Sequence, residues 1–190
     1  MKKIILLLML CSINAFGQKN EFNLIELDTT WGQEVIRFPA RNMNYKGVGE
    51  VRFPPKGWIK PKHDNFWSYT YAWSINVNRE IPKKELAIDL VKYFNSLNHI
   101  DMSDIENKRY SSATITKVKQ NKTTAYFKGH VNIFDRFATN KMITLNVLIE
   151  SYYCEKKKET NILFKFSPKE FNHNTWKMLQ KVKLYSDLCN

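Results

Sequence analysis

Alternating apolar and polar residues fill much of the chain and predict a fold built mainly from β-strands. The longest alternation runs from Phe66 to Val77. Large apolar side chains occupy every second position of this segment: Trp67, Tyr69, Tyr71, Trp73, Ile75 and Val77. The residues between them, such as Ser68 and Thr70, are small and lie on the opposite face, because successive side chains of a strand alternate. We expect the aromatic stripe to face the core and the small residues to face solvent.

Shorter alternating segments predict the remaining strands. The earlier ones cover residues 22–28, 31–38 and 47–53, and the later ones cover 113–119, 124–134, 142–153 and 161–166. Turn-forming residues separate the later four, which therefore predict an antiparallel meander.

Two segments change to the spacing of a helix. After Pro82, apolar residues recur at Leu86, Leu90, Phe94 and Leu97, which predicts an amphipathic helix. The sequence Ser-Pro-Lys-Glu at 167–170 has the pattern of a capping box and predicts the start of a second helix. The order of strands, helix, meander and helix indicates an α+β domain. We expect a mainly antiparallel sheet of about six to seven strands, with one face covered by two amphipathic helices.

The first 17 residues have the three parts of a cleavable export signal. Two lysines precede an apolar run that ends at Leu10, and Ala15-Phe16-Gly17 puts small residues at a signal peptidase site. The run is shorter than the roughly 20 residues that span a bilayer. We therefore expect a single domain over residues 18–190 that is periplasmic or secreted and keeps no transmembrane segment. Acylation at Cys11 is the alternative, which the large residue before it disfavours.

Cleavage would change both the charge and the cysteine count. It would remove two lysines and no acid, and so lower the formal net charge from +12 to +10. The basic residues are spread along the chain, which gives solubility without specifying a partner, and we expect no nucleic-acid partner for an exported protein. Cys154 and Cys189 would remain, and an oxidising compartment favours a disulfide between them. A buried free Cys154 is the alternative.

No pattern of catalytic or metal-binding residues stands out in the chain. The four histidines are isolated from one another and from the cysteines, so we expect no metal and no cofactor. His99, Asp101 and Asp104 lie in one polar loop, but they lack the glycine and acid spacing of a calcium loop. A nucleophile elbow and a phosphate-binding glycine loop are both missing. Catalytic residues are therefore unknown at this point, and the sequence favours a non-enzymatic protein over an enzyme.

The aromatic segment offers the best place for a ligand. The turn sequence Phe53-Pro-Pro-Lys-Gly-Trp58 precedes the stripe and can bring Trp58 to its rim. The predicted ligand rim consists of Trp58, His63, Trp67 and Tyr69. An exposed ladder of rings would stack on sugars or flat ligands. The leading hypothesis is a non-enzymatic domain that binds a partner protein, an envelope component or a glycan. An envelope-directed hydrolase and a carrier of lipids or other hydrophobic ligands are the alternatives.

The block at 47–76, GVGEVRFPPKGWIKPKHDNFWSYTYAWSIN, resembles a group of uncharacterised exported bacterial proteins. These share the GVGEVRFPP-like phrase, a Phe-Trp-Ser-Tyr run and a helix that ends like Tyr93 to Leu97. The group has no assigned activity, so the resemblance implies export and no functional residue. The element order is also similar to the Mog1/PsbP-type sandwich, in which a C-terminal helix packs on a meander. Such an analogy implies a fold and no function.

Overall fold

The computed structural model describes residues 23–27, 30–40 and 42–190. The predicted export signal and the acylation alternative at Cys11 lie outside these residues. The helices are α1, Lys83–Leu97, and α2, Asn174–Lys181. The strands are β1 Ile25–Glu26, β2 Gly32–Ala40, β3 Met43–Phe53, β4 Tyr69–Ile75, β5 Ser112–Gln120, β6 Thr124–Asp135, β7 Lys141–Cys154, β8 Glu159–Ser167 and β9 Lys183–Leu184. Neither helix of this part of the chain has the length and apolar character needed to cross a bilayer.

Seven strands form one antiparallel sheet in the order β2-β3-β4-β8-β7-β6-β5. Strands β5 to β8 are the predicted meander, and β4 joins it to the first hairpin. In β4, Tyr71 lies opposite Val51 on one side and Phe164 on the other. Strands β1 and β9 form a separate antiparallel pair, with Ile25 opposite Leu184. The predicted α+β class with an antiparallel sheet is confirmed.

The aromatic stripe of β4 forms the centre of the main core, as predicted. Tyr71 and Trp73 are fully buried, and α1 covers this face of the sheet. Its helical spacing brings Tyr93 to 5.0 Å from Tyr71, measured between ring centroids. The ring of Phe164 on β8 lies 4.5 Å from that of Trp73. These contacts bury the large rings away from water and account for much of the stability of the domain.

The opposite face of β4 is also buried, so the prediction that its small residues face solvent is wrong. Ser68, Thr70 and Ala72 have no exposed surface. Trp176 of α2 and Leu24 of the N-terminal segment belong to the second apolar cluster on this face. The two helices therefore cover opposite faces of the sheet and do not share one. The small side chains of β4 are what allow the bulky cover to approach closely.

This second layer covers only part of the sheet. On the same face of β6 and β7, Lys128, His130 and Thr144 are exposed. The boundary between the covered and the open part runs along β7 and β8.

Helix α2 begins at Asn174 and not directly after the predicted capping box, which is therefore wrong as a helix start. Ser167 is still part of β8, and its Oγ lies 2.8 Å from the Oγ of Ser68. The Ser167 hydroxyl also accepts the backbone N–H of Lys169 over 3.2 Å, which forms a local turn and not the start of a helix. His173 provides the cap instead, because its side chain accepts the backbone N–H of Thr175.

The structure contains the predicted disulfide between Cys154, at the end of β7, and Cys189, with their Cα atoms 5.4 Å apart. Lys157 supports the same attachment by donating from Nζ to the carbonyl of Leu188 over 2.8 Å. The C-terminal segment is thereby fastened to one end of the sheet.

Candidate functional site

The four predicted rim residues meet where β3 ends and β4 begins. Loop 54–68 connects these strands and is closed by the N–H of Trp67, which donates to the carbonyl of Trp58 over 2.8 Å. The two indole rings meet edge-on, with centroids 6.2 Å apart. Trp67 and Tyr69 are buried, whereas Trp58 and His63 are half-buried. Trp58 and His63 are therefore the accessible members. Trp67 packs beneath Trp58 in the core, and Tyr69 packs against Trp67 with ring centroids 6.2 Å apart.

Local backbone requirements give this loop its shape. Trp67 has a φ of 48°, a conformation that bulky residues rarely adopt. Gly57 has a φ of 87°, and a Cβ there would lie 2.1 Å from Nδ1 of His63. That nitrogen accepts the backbone N–H of Asn65 over 3.0 Å. His63 is thus part of the internal structure of the loop.

A second loop, which the sequence analysis did not associate with the rim, completes it. Asp135 accepts the backbone N–H groups of Phe137, Ala138 and Thr139 over 2.8–3.1 Å. Burial raises the pKa of the Asp135 carboxyl. Hydrogen bonds to the carboxylate, first among them the one from the Thr139 side chain, lower that pKa by more, so the pKa is lowered overall. The turn places the ring of Phe137 5.9 Å from that of Trp58.

We call Phe53, Trp58, Ile59 and Phe137 the aromatic rim. Phe53 packs on Trp58 with ring centroids 4.7 Å apart. Ile59 follows Trp58 in the chain and is 46% exposed, and Phe137 is 47% exposed. Single apolar residues on a surface are ordinary, but two large ones near a half-buried tryptophan make these loops the candidate interaction surface.

The two loops that carry the aromatic rim also carry basic side chains. The exposed ones in its two loops are Lys56, Lys60, Lys62 and Arg136. The guanidinium of Arg136 lies 5.8 Å from the centroid of the Phe137 ring and donates to the carbonyl of Leu97 over 2.9 Å. Asp64 is the exposed acid of these loops, and Lys169 pairs with it at 3.2 Å. The rim therefore combines exposed apolar surface with a positive charge.

Two carboxylates converge elsewhere, between α1 and β3. The hydroxyl of Tyr45 contacts the carboxylates of both Glu85 and Asp89. The side-chain hydrogen bond from Arg79 lowers the pKa of Glu85, whereas burial raises the pKa of Asp89. Two acids whose pKa values are displaced in opposite directions are typical of an acid–base pair. Their spacing of one helical turn in the sequence was the signal that could have found them.

The acids near His99 do not assemble into a metal site. Asp101 Oδ1 accepts the backbone N–H of Ser103 over 2.8 Å, and Asp104 Oδ2 accepts from Nδ2 of Asn107 over 2.8 Å. Among the residues that the structure describes, no three His, Cys, Asp or Glu side chains are placed to hold a metal ion. These acids stabilise the turns of their own loop.

Comparison with known proteins gives no match to this chain among family models, curated proteins or solved structures. The resemblance to exported bacterial proteins and to the Mog1/PsbP-type sandwich stays a prediction. Function must therefore be argued from the sites themselves.

Proposed function

We propose that this protein is an exported, non-enzymatic binding domain that attaches through its aromatic rim to an anionic lipid surface of the cell envelope. The observation that carries this proposal is the pair of half-exposed apolar side chains, Ile59 and Phe137, beside Trp58 and in loops with four exposed basic residues. Tryptophan and large apolar residues insert at the boundary between headgroups and acyl chains, and lysines contact the headgroups. The disulfide between Cys154 and Cys189 supports export, because such bonds persist in oxidising compartments.

The expected affinity follows from two contributions. Full burial of a large apolar side chain contributes about 1.5–3 kcal/mol. Ile59 and Phe137 are already about half buried, so together they add about 1.5–3 kcal/mol. Each basic residue near an anionic membrane adds about 1 kcal/mol, or about 4 kcal/mol for the basic residues of the rim loops. A sum of about 5.5–7 kcal/mol corresponds to a dissociation constant of about 10–100 µM. Attachment is therefore reversible and needs both contributions.

Vesicle co-sedimentation tests the proposal. The disulfide-bonded protein is mixed with vesicles of phosphatidylglycerol and phosphatidylcholine, or of phosphatidylcholine alone. We expect binding only to the anionic vesicles and release at high salt. The double variant Ile59→Ser, Phe137→Ser should bind at least about tenfold more weakly. Val118→Ser is the matched control, because Val118 is an exposed apolar residue on β5, away from the rim.

Charge variants separate the two contributions. Lys60→Glu with Lys62→Glu should abolish binding, whereas Lys156→Glu with Lys158→Glu, a matched pair in the β7–β8 turn, should retain most of it. Equal binding to both vesicle types, or undiminished binding by the Ile59→Ser variant with Phe137→Ser, would contradict the proposal.

A second candidate function is hydrolysis of envelope polysaccharide at Glu85 and Asp89. The opposite pKa displacements of these residues favour it. The near-complete burial of Asp89, which is 2% exposed, weighs against it. The test is the release of reducing ends from isolated envelope polysaccharide, which Asp89→Asn should abolish and Asp104→Asn should not. If the unmodified protein releases none, this candidate is rejected.

The lipid-carrier alternative has less support. It requires a hollow between β4 and α1, but Phe94 of that helix packs there against Trp67 and Phe166, with ring centroids 6.4 and 5.7 Å away. The rings fill the place where such a ligand would lie.

A further inference from the structure

A cleft of about 450 Å³ lies between the sheet and the C-terminal segment, next to Gln180 of α2. Strands β7 and β8 form its floor where the second layer ends. Strand β9 and residues 185–190 form its wall. The disulfide holds this wall at one end, and at the other the N–H of Tyr185 donates to the carbonyl of Leu24 over 3.0 Å. The volume falls within the range of ordinary small-molecule sites.

The floor of the cleft contains a buried lysine. The side chain of Lys165 is 5% exposed, and its Nζ lies 2.6 Å from Oε1 of Glu150, whose side chain is 36% exposed. An ammonium group has three N–H donors, and Glu150 is its one hydrogen-bond partner among the described residues. Lysine is almost never buried without compensation, because removing its charge from water is costly. Donor capacity is therefore left over at the floor of the cleft.

The neighbouring Asn161 offers the complementary group. This residue is 1% exposed and lines the same cleft. Its Nδ2 donates to Sγ of Cys154 over 3.3 Å, while its Oδ1 has no partner in the part of the chain that the structure describes. A buried acceptor without a donor costs about 1–3 kcal/mol. This oxygen has almost no accessible surface, so a ligand hydroxyl would reach it through a small rotation of the amide, and a donor to it would recover that free energy.

Two tyrosines complete the cleft. Tyr152 on the floor is 39% exposed, and Tyr185 stands on the wall. Gln180 of α2 adds an amide that can both donate and accept. The cleft is thus lined by two tyrosines together with hydrogen-bond donors and acceptors.

We propose that this cleft binds a saccharide unit. A sugar hydroxyl both donates and accepts, which suits a site where Lys165 supplies donors and Glu150 and Asn161 supply acceptors. The C–H faces of a sugar ring pack on tyrosine rings. A small inorganic anion fits less well, because the Glu150 carboxylate would lie beside it and repel it. This inference does not depend on the aromatic rim, which lies in other loops.

Saturation-transfer NMR on the disulfide-bonded protein tests the proposal. The probes are maltose, cellobiose and N,N′-diacetylchitobiose as neutral sugars, glucuronic acid as an acidic sugar, and inorganic phosphate. We expect transfer to the ring protons of at least one sugar and a millimolar or tighter dissociation constant by calorimetry. Binding of phosphate in preference to every sugar, or the absence of sugar binding, overturns the proposal.

Variants locate the binding in this cleft. Asn161→Ala should weaken sugar binding at least about tenfold, since it removes a buried acceptor. That residue is in the sheet, so its loss can disturb folding. Tyr152→Ala alters an exposed ring and serves as the second variant, again with at least about tenfold weaker binding. Thr144→Ala, on the open part of the same strand, is the matched control and should bind normally. Sugar binding that survives Tyr152→Ala unchanged in a folded protein also overturns the proposal.

Discussion

Replacing Glu50 by alanine removes the group that ties the N-terminal segment to the sheet. Glu50 lies on β3 and is fully buried. Its carboxylate accepts the backbone N–H groups of Leu24 and Ile25 and the Nε–H of Arg52. Gln33 donates to the same carboxylate over 3.0 Å. A single side chain therefore satisfies four donors, of which two belong to the segment that forms β1.

The expected loss can be estimated from these contacts. Removing one partner of a buried ion pair costs about 3–5 kcal/mol. Each orphaned backbone N–H would add about 1–3 kcal/mol if it stayed buried. We expect the segment to detach and expose its N–H groups to water, so the costs do not add. Glu50→Ala should therefore lower the free energy of unfolding by about 3–5 kcal/mol, and Glu50→Gln, which keeps one acceptor oxygen, by less.

Urea denaturation and hydrogen exchange measure the two parts of this prediction. The amides of Leu24 and Ile25 should exchange far faster in Glu50→Ala than in the unmodified protein. Glu26→Ala is the control, because Glu26 lies in the same segment with an exposed side chain, and it should change stability by less than about 0.5 kcal/mol. A loss below about 1 kcal/mol in Glu50→Ala, with unchanged exchange at Leu24 and Ile25, would refute the reasoning.

Three further predictions concern stability. Reduction of the bond between Cys154 and Cys189, which are 35 residues apart, should cost about 3–4 kcal/mol on the loop-entropy model. A urea midpoint that does not move with reductant would contradict this. Because the pKa of Asp135 is lowered in the folded protein, its carboxylate stabilises the fold at pH values above the unfolded pKa of 3.8. This stabilisation is lost as the pH falls through the lower pKa of the folded state. The difference in free energy of unfolding between the unmodified protein and Asp135→Asn should therefore become smaller in acid. A difference that does not change with pH would contradict this prediction. Gly57→Ala should cost about 1–3 kcal/mol through its positive φ and the His63 ring. Adding His63→Ala to this variant should recover part of the lost stability. A Gly57→Ala variant as stable as the unmodified protein would disprove the strain.

Much of the fold could be predicted because its signals are local. The alternation that includes Trp73 and Ile75 needs no distant partner to be recognised. The helical recurrence of Leu86, Leu90 and Phe94 is likewise contained within four turns. Such periodic patterns fix which face of an element is apolar.

The second layer could not be predicted for the opposite reason. Ser68, Thr70 and Ala72 have the composition of a solvent face, and only the distant α2 and the N-terminal segment cover them. The short pair of β1 and β9 joins residues near the two ends of the described chain, with two residues in each strand. Two residues are too few to show an alternating pattern. The strand predicted over residues 22–28 was longer than β1, which covers Ile25–Glu26.

The aromatic rim was predicted in part. The prolines and Gly57 of loop 54–68 indicated a turn that brings Trp58 near the aromatic strand, which is where it lies. Phe137 was missed, since it follows Trp58 by 79 positions in the sequence and reaches it only through the pairing of β6 within the sheet. The cleft was missed for the same reason, because Lys165 and Tyr185 come from different layers.

Contact between Trp58 and the acyl region of a membrane is the most direct test of the proposed attachment. The chain has five tryptophans, and the other four, Trp31, Trp67, Trp73 and Trp176, are buried. Vesicles of phosphatidylglycerol with brominated acyl chains quench an indole that reaches the acyl region. The account predicts that these vesicles quench part of the tryptophan emission and that Trp58→Phe removes this quenching while the protein stays folded. No quenching, or quenching of the same size in Trp58→Phe, would contradict it.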